Sequence, residues 1–156
     1  MLRIYSTDVG SLITSRVASA PVSATAGGSG DATAVTGLTI DRQALGLPQS
    51  AQIAVLCQAT LAATKTLSIT ALKVEDSADG STWADYMVLS APGVVATGAT
   101  GGSTESGQAA ASVDLSSARR YVRVAFTPDL SATATDTATL LAAWVFGGFS
   151  SLPAPV

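Results

Sequence analysis

Apolar residues in this chain recur at every second position, in short runs separated by turn formers. That spacing restricts the fold more than any other feature. A period of two places alternate side chains on opposite faces of an extended strand. The stretch LSITALKVEDSADGSTWADY at positions 67–86 shows it best. Leu67, Ile69 and Ala71 alternate with Ser68 and Thr70, and the apolar phase then moves to Leu72 and Val74. A phase change inside one strand predicts a bulge, here near Ala71. Asp76, Ser77, Asp79, Gly80 and Ser81 then read as a tight turn, because Asp and Ser bond their own backbone and Gly accepts a positive φ. Trp83, Tyr86 and Val88 resume a strand after a second irregularity.

The rest of the chain follows the same pattern. Residues 31–41 read as the first core strand, with Val35, Leu38 and Ile40 its apolar members. Residues 51–59 place Ile53, Val55 and Cys57 on one face and Gln52 and Gln58 on the other. Residues 93–99 are a weaker strand, residues 100–107 a mobile loop, and residues 109–115 a strand with a thin apolar face. Residues 121–127 alternate Tyr121, Arg123 with Val122, Val124, Phe126. Residues 128–136 read as a polar loop. The last strand, 138–146, is apolar on both faces, so it lies centrally or is covered by a partner. About eight short strands and no convincing helix predict an all-β fold: an antiparallel β-sandwich, with the jelly roll as its eight-strand form.

Residues 1–30 lack a sustained pattern and end in Ala26-Gly27-Gly28-Ser29-Gly30. They read as an extended, flexible N-terminal arm with room for a short edge strand. The predicted organisation is therefore an arm (1–30), a β-sandwich domain (31–149) and a C-terminal tail (150–156).

Composition narrows the function. Charged residues are only 12% of the 156 residues while hydrophobic ones are 47%, and the ordinary charged share is about 25%. So sparse a charge protects a free monomer poorly, which points to a surface covered by other subunits; the other reading is an ordinary β domain rich in small residues. The net charge of −3 gives no case for nucleic-acid binding. The longest apolar run, 140–149, is too short for a membrane span, and no secretory signal is evident. There is no histidine, which removes Ser-His-Asp, Cys-His and His-ligated metal chemistry. Cys57 is the sole cysteine and alternates with apolar neighbours, as a small buried hydrophobe does.

Local candidates each have an ordinary reading. Asp76, Asp79 and Asp85 read as turn residues or as a weak cation site, although their spacing does not match a calcium loop. Trp83 and Tyr86 read as a cross-hairpin pair or as a sugar platform. Arg119, Tyr121 and Arg123 share a strand face that is either solvated or an anion or partner site. Lys65 and Lys73 stand in no Ser-x-x-Lys motif, Gly27 to Gly30 are followed by no Gly-Lys-Ser/Thr, and Glu105 lies with the aspartates among turn formers, not as a paired acid and base. The expectation is a non-enzymatic protein with no catalytic residue, no metal and no cofactor.

Three stretches together resemble small virion proteins of tailed bacteriophages and prophages: LTIDR at 38–42, VEDSADGSTWADY at 74–86, and ARRYVRVAFTPDLSATATDTATLLAAWVFGG at 118–148. Within that group the resemblance is to head cement, or decoration, proteins. It implies a homotrimer on the exterior of the phage head that binds the major capsid protein and stabilises the shell, made in the bacterial cytoplasm. An Asp-Gly-Ser-x-Trp turn is also similar to turns of carbohydrate-binding sandwiches, so an adhesin-like tail-fibre module, or another tail or connector component, is the alternative.

Overall fold

The computed structural model describes residues 8–132 and 134–150. Apart from one short 3-10 turn at Val9–Ser11, its regular elements are strands. They are β1 (Thr14–Val17), β2 (Val22–Thr25), β3 (Val35–Thr36), β4 (Ile40–Asp41), β5 (Ser50–Leu61), β6 (Thr66–Ser77), β7 (Ala84–Leu89), β8 (Gly93–Thr97), β9 (Ser103–Asp114), β10 (Tyr121–Leu130) and β11 (Thr137–Gly147).

Three pairs of short strands share a lane. β1 and β2 both run along β11, β3 and β4 along β10, and β7 and β8 along β6. The described residues thus form eight lanes in two antiparallel sheets. The first sheet runs β1/β2, β11, β5, β9; the second runs β3/β4, β10, β6, β7/β8. First lane pairs with last, second with seventh, third with sixth and fourth with fifth. That is a long hairpin folded over on itself, the jelly-roll form of a β-sandwich.

The inward rows of both sheets make one core. Trp144, Phe146, Leu140 and Ile53 from the first sheet meet Phe126, Ile69, Leu72 and Val74 from the second, all fully buried. Trp144 and Phe146, two apart on β11, stack at 5.2 Å between ring centres. The last strand is central in its sheet, and its second face, Leu141, Ala143 and Val145, is half-buried.

Both predicted irregularities are present. Thr70 is the extra residue where β6 leaves register with β10, since Ile69 faces Pro128 and Ala71 faces Thr127. Tyr86 is the extra residue of β7, between Asp85 opposite Glu75 and Met87 opposite Val74.

Four expectations are corrected. Residues 14–25, read as part of an arm, form the edge lane of the first sheet, and Ala18, Ala24 and Ala26 are buried in the core. The Gly-Ser run after them is a tight turn: Thr25 N–H donates to Ser29 O at 2.9 Å, and a Cβ on Gly30 would stand 2.2 Å from Ser23 O. Glycine is needed there for close approach, not for flexibility. Residues 1–7 and the tail residues 151–156 lie outside the described residues.

Residues 31–41 form no core strand. They make two two-residue strands, β3 and β4, with Leu38 exposed between them. At the break, Gly37 N–H donates to Val124 O of the second sheet and Leu38 N–H to Ala18 O beside the first, closing the sandwich edge. A Cβ on Gly37 would lie 2.5 Å from one carbonyl and 2.6 Å from the other.

The loop predicted at 100–107 is strand from Ser103 onward, with Gly107 opposite Cys57. Its polar outward row concealed a ladder held by backbone pairing, with the Thr60 and Thr104 hydroxyls 3.1 Å apart across it. Likewise β10 continues through Pro128 to Leu130. Proline lacks an N–H, but it sits where the bulge at Thr70 breaks the register, and its carbonyl accepts from Ala32 N–H at 2.9 Å.

Candidate interaction surface

The acidic turn is self-satisfied. Asp79 Oδ1 accepts from the N–H groups of Ser81 and Thr82, each at 2.8 Å, and from Ser77 Oγ at 2.9 Å. The Thr82 and Ser81 backbone donors hold its carboxyl well below the usual carboxylate range. Asp76 is not in the turn. It is a buried residue of β6 that accepts from Arg119 N–H at 2.8 Å and Arg119 Nε at 2.9 Å. Asp85 pairs with Lys73 at 2.7 Å. The three carboxylates face three different protein donors, so they do not converge on a cation position. Among the described residues no group of three or more His, Cys, Asp or Glu side chains could hold a metal ion.

The aromatic pair divides in the same way. The Arg123 guanidinium lies 4.1 Å from the centre of the Trp83 ring and covers it. Tyr86 packs against the core, and its hydroxyl donates to Asp114 O at 2.8 Å. Trp83 is covered by Arg123 on the outer face and Tyr86 packs against the core, so the two rings form no joint platform.

The Arg119 to Arg123 face belongs to a network on the second sheet. Arg123 Nε meets Glu75 at 2.6 Å, Glu75 meets Lys73 at 2.8 Å, and Arg120 meets Asp41 at 2.7 Å. Partial burial pushes the Glu75 carboxyl up, but Lys73 and Arg123 outweigh it and leave it below its ordinary value. Asp41 is held low first by its bond to Arg120. Lys73 is raised first by Asp85 and then by Glu75. Such a network keeps the outer face of this sheet charged and hydrated.

Arg42 escaped the sequence reading. It is 3% exposed, and its guanidinium donates to four backbone carbonyls: Ala118, Arg119 at 3.1 Å, Pro48 at 2.8 Å and Leu115 at 2.7 Å. It ties residues 42–49 to the turn before β10. The only sequence hint was an arginine just ahead of the breakers Gly46 and Pro48. Three other groups lie apart from any site. Cys57 is buried and burial pushes its thiol up. Glu105 accepts from Ser103 Oγ at 2.7 Å. Lys65 lies in the turn between β5 and β6.

The first sheet has the opposite outer face. Leu56 and Ala54 on β5, Leu141, Ala143 and Val145 on β11, Val17 on β1 and Ala110 on β9 point outward, interleaved with Gln, Ser and Thr. Register places Val17, Ala143, Ala54 and Ala110 in one row across all four lanes. Across the outward positions of β1, β2, β5, β9 and β11 the one charged side chain is Asp114, at the end of β9. Leu56 is 42% and Val17 52% exposed. The two outer faces therefore differ in kind: one is laced with ion pairs and one is almost free of charge.

No protein-family model matches the chain, and no curated protein matches it. Several solved structures do. One is the PBSX exported protein XepA, at 15% identity and a TM-score of 0.44, covering 88% of this chain and 38% of that one. A second is the VP2 subviral particle of infectious bursal disease virus, at 9% identity and a TM-score of 0.46, covering 87% of this chain and 32% of that one. A third contains the N-terminal CBM22-1 and GH10 modules of an endo-1,4-beta-D-xylanase from Clostridium thermocellum, at 11% identity and a TM-score of 0.34, covering 70% of this chain and 18% of that one. This chain thus spans about a third of the length of the first two. These are likenesses of β architecture to larger proteins.

Proposed function

We propose that this chain is a structural virion protein, a cement protein that binds the major capsid protein on the exterior of a phage head and stabilises the shell. The observation that carries the reading is the spatial convergence of the three stretches that resemble such proteins. They are far apart in sequence, yet Asp41 pairs with Arg120, Asp76 with Arg119, and Glu75 with Arg123, while Arg42 binds the carbonyls of Ala118 and Arg119. Each stretch supplies a partner that another lacks. The three stretches thus lie side by side on the second sheet, through β4, β6 and β10, which supports reading the resemblance as one unit.

The near absence of charge on one outer face supports a role in assembly, because such a face leaves water at little electrostatic cost. A cement protein acts by mass action: what binds the assembled shell and not its dissociated subunits stabilises the shell by the free energy of binding. The test is to mix the purified protein with undecorated heads assembled from the major capsid protein of the same genome. Co-sedimentation and a higher disruption temperature are expected. Free protein in the supernatant and unchanged heads would overturn the reading.

A further inference from the structure

Among the described residues, three buried side-chain atoms lack a hydrogen-bond partner: Arg42 Nε, Trp144 Nε1 and Asp136 Oδ2. The first two are N–H groups. One belongs to a guanidinium that already holds four carbonyls, the other to a neutral indole. Asp136 differs in kind. It is 2% exposed, and it joins none of the ion pairs. A buried carboxylate oxygen with nothing to bind is costly and calls for a partner.

The rest of the residue is anchored. Asp136 Oδ1 accepts from Ala62 N–H at 3.0 Å, and its main-chain carbonyl accepts from Ala26 N–H at 2.9 Å. Oδ2 is the polar atom left over for the cleft that Asp136 lines, about 420 Å³ at one end of the sandwich. The end of β5, the start of β9 and the residues before β11 form its walls. Neither lysine nor arginine lines it, and every side-chain polar atom of its lining is an oxygen. Ser103 Oγ donates to Glu105 at 2.7 Å and accepts from Ala99 N–H at 2.8 Å, which leaves it one lone pair. An all-oxygen set selects a hard cation. Calcium accepts a mixed shell of carboxylate, hydroxyl, carbonyl and water oxygens at about 2.3–2.6 Å, whereas magnesium demands near-ideal octahedral geometry. A contact of that length is shorter than the ~2.8 Å of a bound water, which suits an oxygen as buried as Oδ2.

We propose that Asp136 Oδ2 anchors a calcium ion in this cleft, with the Ser103 hydroxyl and water among the further ligands. A single carboxylate makes the site weak, with Kd on the order of 10⁻⁴–10⁻³ M. The ion ties the end of β5, the start of β9 and the approach to β11 together. The acidic turn at Asp79 plays no part, because protein donors already satisfy it. The proposal does not rest on the virion reading.

The test is calorimetric titration of the full-length, chelator-treated protein with CaCl2, together with its melting temperature in CaCl2, in MgCl2 and in NaCl of equal ionic strength. The wild type is expected to bind one calcium ion per chain and to melt higher as calcium is raised, with no such rise in the other two salts. Asp136→Asn keeps an oxygen for Ala62 N–H and should lose the calcium response. Ser103→Ala should weaken binding about tenfold, and Asp79→Asn should respond as the wild type does. No saturable binding by the wild type, an equal response to magnesium, an unchanged response in Asp136→Asn, or a response lost in Asp79→Asn would overturn the proposal. Should Asp136→Asn fail to fold, Ser103→Ala and Asp79→Asn decide.

Discussion

Arg42 shows how a single side chain can replace secondary structure. Between β4 and β5 the chain makes few ladder bonds, and the guanidinium gathers four carbonyls instead, three of them near the start of β10. Replacing it leaves buried carbonyls unpaired, at about 1–3 kcal/mol for each group that stays dry. Arg42→Met should lower stability by at least about 2 kcal/mol in urea unfolding, with Arg42→Lys no rescue, because an ammonium cannot span the same fork. The aspartates set the pH response. Asp79, Asp41 and Asp114 all have folded-state pKa values below their ordinary ones, through the Thr82 backbone, Arg120 and the Ser116 backbone respectively. A depressed carboxyl contributes stability that is complete above its unfolded value, about 3.9, and is lost as pH falls toward the folded value. The melting temperature should therefore hold steady near neutrality and decline below about pH 4. Asp79→Asn should flatten part of that decline; an equally steep acid slope in the variant would contradict the assignment.

The lanes split in two by breaks decide which elements can be removed. Ala18 and Ser19 bridge the break between β1 and β2: both N–H groups donate to Ala142 O, and Ser19 Oγ accepts from Ala142 N–H at 2.9 Å. Deleting residues 1–30 strips this lane and bares the edge of β11, so the shortened protein should aggregate or melt far below the full chain. A truncated form that is soluble and equally stable would show that the lane is dispensable. Gly37→Ala should be costly for a different reason, since its Cβ would press on two carbonyls that cannot retreat without opening the sandwich edge. A thermal melt within a degree or two of wild type would refute that packing. These same elements mark what the sequence made legible. Strands with a buried row, such as β5 and β10, were readable from alternation, and both bulges from its phase slips. The broken edge lanes were not, because two- and four-residue strands are held by bonds to a neighbour and leave no period of their own. Nor was the start of β9, where Ser103, Thr104 and Ser106 look like loop. In the candidate site, the Arg119 to Arg123 alternation was visible, but its pairing with Asp76, Glu75 and Asp41 joins residues 43 to 79 positions apart. The charge-free face was hidden for the same reason, since it exists only once four lanes stand side by side.

At the scale of the whole molecule, the jelly roll turns a chain with few charges into a body with two unlike sides. Charges placed on the second sheet pair with one another, and the first sheet is left with amides, hydroxyls and small apolar groups. Burying the apolar part of that side would stabilise an assembly at roughly 25 cal/mol per Å² of apolar surface removed from water. The core itself rests on the aromatic residues of β11. Trp144→Ala should cost about 3–5 kcal/mol and, since the indole touches neither outer face, should weaken binding to a shell only through loss of folded protein. The most direct measurement of the central claim is the binding of the purified chain to undecorated heads, followed by sedimentation and by the temperature at which the heads break. Saturable binding is expected, with heads that survive to higher temperature. Heads that sediment without the protein, at a concentration where the protein is folded, would contradict it.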